Sequence, residues 1–224
     1  MTIAQFINSS LGRKTVMAAT GLFLCAFLVE HLYGNLLLFC SDGGKAFIEY
    51  SHDAVNSILI RSIEVVLFVA IILHVVQAVS LTRQNAIARP VKYAVYKVGE
   101  TSNWFSRNMG ITGSVILFFL VVHLKHFFVP YRITGLGEGE NIAHEVKVAF
   151  ENGWYVLLYV VSVLFLSFHL NHGFQSAFRS LGLNNKIYAP VLYITGSIFA
   201  YVVVGVGFAS IPVLFYFGLA GTTF

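Results

Sequence analysis

Charge is what this chain has least of. Asp, Glu, Lys and Arg make up only 11% of its 224 residues, against 57% hydrophobic, and the mean hydropathy is +0.77. A soluble domain needs a charged exterior, so this balance excludes one and makes lipid the solvent. Proline is also scarce, with four residues beside 19 glycines, a mixture that suits closely packed transmembrane helices. The two cysteines exclude a disulfide framework: Cys25 and Cys40 share one apolar run, too far apart along a helix to bridge. The formal charge of +4 and the pI near 9.1 do not describe a nucleic-acid binder, because the basic residues lie between apolar runs and not in one tract. They read as orientation signals in a membrane.

What is present is a series of apolar runs, at roughly 14–39, 57–82, 107–129, 153–178 and 188–217. Each has the length of about 20 residues that an α-helix needs to cross the hydrocarbon core. The expected fold is therefore all-α, one membrane domain over 1–224 with five transmembrane helices forming a bundle. Arg13 and Lys14 ahead of the first run resemble the start of a signal peptide. The run continues to Phe39, longer than an h-region, which predicts a retained first helix. Pro190 falls in the first turn of the fifth run, where a missing N–H costs nothing, and Pro212 should kink or finish it.

An N-terminus in the cytoplasm puts Arg13, Lys14, Arg83, Arg89, Lys92, Lys97, Arg107, Arg179 and Lys186 inside. Lys45, Arg61, Lys125, Arg132 and Lys147 are then outside, with Asp42, Glu49, Asp53, Glu138, Glu140, Glu145 and Glu151. Nine basic residues against five predict N-in and C-out. The basic loop 83–107 is the expected docking surface for a soluble partner. In the outer loop 138–150, Ile142, Val146, Ala149 and Phe150 recur at helical spacing, which predicts a short amphipathic helix on the membrane surface.

Four histidines decide the chemistry. His31, His74, His123 and His169 each sit within a different apolar run, where an imidazole is costly unless it faces the bundle interior and has a partner. At about 1.5 Å per residue, His31 and His123 both lie roughly 24 Å from the inner side, and His74 and His169 roughly 12–13 Å. That predicts an outer pair, His31 with His123, and an inner pair, His74 with His169. Opposed imidazoles from facing helices are what a low-spin haem needs, so two pairs predict two stacked haems. Gly34 and Gly173 stand beside ligands where a porphyrin could approach a helix. A lone intramembrane histidine is more often an interhelical hydrogen-bonder, but matched depths reverse that reading. No C-x-x-C-H motif supports covalent attachment, and no carboxylate pair or Glu-x-x-His motif supports zinc or di-iron. His126 is disfavoured by its depth near the outer boundary; His172, one turn from His169, remains an alternative. His52 and His144 read as solvated loop residues.

Several segments together resemble a known family. They are E-H-L-Y-G-N-L at 30–36, A-R-P-V-K-Y at 88–93, S-R-N-M-G at 106–110, V-H-L-K-H-F at 122–127 and F-H-L-N-H-G-F at 168–174. Over essentially the whole chain they are similar to the five-helix cytochrome b558 subunit of succinate dehydrogenase and fumarate reductase, in its Bacteroidetes-like branch. The resemblance implies two b haems in one chain, ligated by His31, His74, His123 and His169. It favours His169 over His172, whose position is often Asn in relatives. It implies menaquinone as substrate, a bacterial cytoplasmic (inner) membrane, and a flavoprotein and an iron–sulfur subunit docked on the cytoplasmic face, carrying FAD and iron–sulfur clusters. Succinate or fumarate chemistry would then belong to the partners and electron relay to this chain. Some quinol:fumarate reductases place a Glu, associated with transmembrane proton transfer, two residues before the fourth-helix ligand; this sequence has Ser167.

The resemblance also implies a quinone site near the outer haem, and quinone chemistry needs a proton-exchanging group at the membrane boundary. Glu64 is the foremost candidate, an acid within the second run about 15 Å outward of His74. Its structural alternative is a hydrogen bond to a neighbouring helix. Asp53, Glu49 and His52 are further candidates, and Glu30, rotated away from His31, reads equally as structural. Arg13, Arg83, Arg107 and Arg179 at the inner helix ends are candidate partners for haem propionates, or simple positive-inside anchors. Two rivals remain: the cytochrome b of a formate dehydrogenase or hydrogenase, and a haem-free transporter with a histidine relay.

Overall fold

Among the described residues, five helices are long and apolar enough to cross a membrane: Ser10–Phe39, Ile58–Ile87, Met109–Thr134, Gly153–Ser180 and Ala189–Tyr216. They are the first to fifth spans below. The structure is a computed structural model, and it describes residues 2, 5–6, 9–88, 104–136, 141–183 and 185–220. Among these there is no strand. The A-R-P-V-K-Y segment beyond Ala88, most of the 83–107 loop, and Glu138 and Glu140 lie outside the described residues.

Local chemistry sets where the spans start. Ser9, Ser57 and Asn152 cap the first, second and fourth spans, each accepting from a backbone N–H of the first turn (Gly12, Ile60, and both Trp154 and Tyr155). The fifth span opens with Pro190 in its first turn, as its missing N–H permits. Pro212 lies inside that span and does not end it. The preceding residues Phe199–Val206 wind as a wider π-helix, and the helix runs on to Tyr216. The third span is longer than hydropathy suggests. Around Pro130 it winds as π turns, Leu124–Phe128 and Pro130–Thr134, which carry the helix past the proline and bring Arg132 into the bundle.

The first and fourth spans form the centre. The second packs on the first, the third on the fourth, and the fifth covers the fourth. Small residues permit the closest approach. A Cβ on Gly207 would come within 2.8 Å of Leu32 Cδ2, and one on Gly205 within 2.8 Å of Ser167 Oγ. The second and third spans meet through side chains at one end, by Phe68 against Phe128 and by Glu64 with Arg132. Their remaining surfaces are apolar and bare, as in Val66, Val69, Val76, Phe118 and Val121, which suits lipid as the surrounding solvent. Trp104 and Trp154 are exposed near opposite ends of the bundle, where amphipathic rings favour the membrane boundary.

Among the described residues, two short helices, Lys45–Asn56 and Ile142–Phe150, lie between spans at the end of the bundle opposite the single turn Trp104–Arg107. The second forms where its spacing suggests, but its apolar face is not spread on a membrane surface. Ile142, Ala143, Val146, Ala149 and Phe150 are all buried, packed with Leu38, Phe47, Val156 and Ile211. Apolar side chains bury equally well against protein, and the ends of the first, fourth and fifth spans supply the apolar partners here. The end holding Arg13, Arg83, Arg107 and Arg179 is called the basic end below, and the one these two helices cover the capped end.

Candidate haem-binding site

His31 and His123 face each other across the first and third spans near the capped end. Their ring centroids are 5.8 Å apart and their planes nearly perpendicular at 84°. His31 stacks on Phe27, one turn earlier, and meets Phe208 of the fifth span. His123 Nδ1 is 3.0 Å from the Tyr159 hydroxyl, which is in turn 3.3 Å from that of Tyr155. Toward the basic end, His74 and His169 approach across the second and fourth spans, with centroids 6.4 Å apart and planes at 65°. All four imidazoles are half-buried.

The second pair is held by a device that recurs. Thr20 Oγ1 is 3.2 Å from His74 Nδ1, and Thr112 Oγ1 is 3.2 Å from His169 Nδ1. Each hydroxyl also reaches a carbonyl of its own helix, Thr20 at 2.8 Å from Val16 O and Thr112 at 3.1 Å from Met109 O. With its proton on that carbonyl, each threonine oxygen accepts from the imidazole, an arrangement that puts the proton on Nδ1 and the lone pair on Nε2. Beside each threonine is a glycine on which the ring rests. A Cβ on Gly21 would meet His74 Cε1 at 3.3 Å, and one on Gly113 would meet His169 Cε1 at 3.5 Å. Both sequences read T-G-x9-H, at 20–31 and 112–123, so the first and third spans each orient a histidine of the other pair and supply one of their own. Sequence reasoning passed over this repeat, although it was there to be read.

The two glycines singled out from sequence do something else. Gly34 is covered by Tyr50, whose Cε1 would lie 2.6 Å from an added Cβ, and Gly173 has only Met109 Cε, at 4.0 Å. Tyr50 reaches that position because its hydroxyl donates to Glu30, which ties Lys45–Asn56 to the first span. Glu30 thus has a structural partner.

The geometry suits an iron between each pair. A metal–nitrogen bond of about 2 Å puts each imidazole centroid about 3 Å from the metal, so two opposed rings stand about 6 Å apart. Edge-to-face packing covers the same range. What separates the two cases is that Nδ1 of His74, His169 and His123 each meets a hydroxyl, of Thr20, Thr112 and Tyr159, an anchoring that ligation through Nε2 uses and packing does not require. Among the described residues no group of three or more His, Cys, Asp or Glu could hold a bare metal ion. Two protein nitrogens per site are what an iron needs when a macrocycle supplies the rest. One turn from His74, Gln77 Oε1 is buried with no hydrogen-bond partner among the described residues, an acceptor that a group at this level would satisfy.

The remaining candidates lie outside the two pairs. His126 packs on Phe127 and Tyr155 in an aromatic cluster, and His172 lines a groove at the basic end. His52 and Asp53 are exposed and 3.8 Å apart on Lys45–Asn56, with Glu49 exposed on the same helix. Glu64 accepts from Arg132 Nη2 at 2.6 Å and lies 3.8 Å from Arg61 Nη1. Arg13 donates to Ser80 at 3.0 Å, Arg179 reaches Gln175 O at 3.4 Å, Arg83 is exposed and Arg107 half-buried. Ser167 is buried against Gly205 with its hydroxyl on Val163 O at 3.0 Å, which leaves no room for a longer acid there. The chain matches no family model, no curated protein and no solved structure.

If Thr112 fixes the tautomer of His169, Thr112→Val should weaken cofactor retention in that pair roughly 10-fold, the lower bound for second-shell partners of metal ligands. Thr112→Ser should retain it, because the hydroxyl is kept. Equal retention in wild type and Thr112→Val, measured by haem loss to an acceptor protein, would remove the hydroxyl from the site.

Proposed function

We propose that this chain is the dihaem membrane anchor of a succinate:menaquinone oxidoreductase or quinol:fumarate reductase. The observation that carries the reading is the doubled imidazole pair, formed from four different spans at two levels. His31 and His123 would hold one b haem, and His74 and His169 the other. Each haem would supply a one-electron centre within the bundle. Thr20 and Thr112 keep the Nε2 lone pairs free, Tyr159 holds His123, and the apolar spans exclude water from both levels.

The basic end, in this reading, faces the cytoplasm of a bacterial inner membrane and receives the iron–sulfur and flavoprotein subunits. The capped end then carries the quinone chemistry near His31 and His123, with Glu64, Asp53, Glu49 and His52 as proton-exchanging candidates. Tyr155 and Tyr159 link that end to His123 by a hydrogen-bonded chain.

Purified protein should yield two non-covalent protohaems per chain on acid-acetone extraction, with an α band in the reduced-minus-oxidised spectrum. One haem would break the pairing scheme, and none would leave a histidine-relay transporter as the better account. With the native cysteines removed, a cysteine placed in the 83–107 loop should be labelled only from the cytoplasmic side. Labelling from outside would invert both the orientation and the docking face.

A further inference from the structure

At the basic end a groove of about 400 Å³ opens between the first and fourth spans, lined by Leu11, Lys14, His172, Ser176, Arg179 and Ser180. The four residues of the fourth span fall at i, i+4, i+7 and i+8, so they share one helical face. Leu11 and Lys14, one turn apart, present the facing side. Its polar side chains are two cations, an imidazole and two hydroxyls, with no acid. Neither Lys14 nor Arg179 has a carboxylate partner among the described residues, and neither serine hydroxyl makes a hydrogen bond there. A site rich in donors and free of acids is built for an anion.

The position narrows which anion. The groove lies where two apolar spans end, at the depth of lipid headgroups. Leu11 is 61% exposed beside it, and Leu181 and Leu183 just beyond the fourth span are exposed as well. A soluble anion has no use for such an apolar rim, whereas a phospholipid sets its phosphate among the cations and its acyl chains against the spans. We propose that this groove is a binding site for the phosphate of an anionic membrane phospholipid. Lys14 and Arg179 supply the charge, and Ser176 and Ser180 donate to the phosphate oxygens. The site rests on the spans and the groove alone, so it stands independently of the haem reading.

The test uses the full chain in mixed micelles, with bound lipid read by native mass spectrometry and haem by absorbance. Phosphatidylglycerol should be retained in preference to phosphatidylcholine. Lys14→Gln with Arg179→Gln should lower its retention about 30-fold, the effect of two basic residues at a membrane surface. Lys186→Gln, the loss of one cation outside the groove, should leave retention as it was. The wild-type comparison of the two lipids needs no variant, so it decides even if the double variant folds poorly. Equal retention of both lipids overturns the proposal, and so does unchanged phosphatidylglycerol in the double variant. Loss of haem with lipid kept would assign these cations to haem carboxylates. Displacement of the lipid by millimolar inorganic phosphate would make the groove a site for soluble anions.

Discussion

Replacing His169 with Ala should remove one haem of two and leave the spectrum of the other in place, and His74→Ala should remove the same one. The pairs share no ring contact, and each is fixed by its own surroundings: Thr20, Gly21, Thr112 and Gly113 around His74 and His169, Phe27, Phe208 and Tyr159 around His31 and His123. Loss should therefore be confined to a level. Double variants sharpen the test, because two changes at one site are strongly non-additive and changes at independent sites add. His74→Ala with His169→Ala should lose no more than either alone, one haem per chain. His74→Ala with His31→Ala should lose both. If His31→Ala and His74→Ala instead abolish the same α-band component, the pairing is wrong, whatever the haem content. His172→Ala serves as the alternative-ligand control and should keep both haems, since His169 is the ring facing His74.

How much of this was readable depends on what each feature rests on. The five spans rest on hydropathy, a property of local sequence, and their positions follow from it closely. The extension of the third span to Thr134 does not, because Pro130 and Arg132 look like an exit from the membrane. Only the π turns, and the partner that Arg132 finds 68 residues away, keep the chain helical. Lys45–Asn56 was hidden for another reason. It is short and polar, and it starts after Gly44 at φ 80°, with Asp42 accepting from the Gly44 and Ala46 N–H groups. Its attachment runs through Tyr50 to Glu30 and Gly34, a contact between elements that no periodicity encodes. Within the site the histidines stood out because an imidazole in an apolar run is conspicuous. Thr20 and Thr112 did not, because a threonine in a transmembrane helix ordinarily satisfies itself on its own backbone, as both partly do. Their second role needs a neighbour to be seen.

Glu64 is where a structural role and a proton-exchanging role can be told apart, and both predict large effects. Arg132 is 9% exposed in its side chain and Glu64 26%, so the pair is largely withdrawn from solvent. Removing one partner strands the other's charge at the end of the bundle where the second and third spans have few other ties. Glu64→Gln should therefore cost about 2 kcal/mol, between the values for exposed and fully buried pairs, and show as a lower melting temperature. Adding Arg132→Gln removes the stranded charge and should recover most of that loss. Quinone-dependent turnover then separates the roles. If the carboxylate exchanges protons with the quinone, turnover stays slow in the double variant although stability returns, while succinate oxidation by a dye that draws electrons from the soluble subunits stays near normal. If Glu64 only straps the spans together, turnover recovers with stability, and the proton-exchanging group must be sought among Asp53, Glu49 and His52 on the exposed helix beside it.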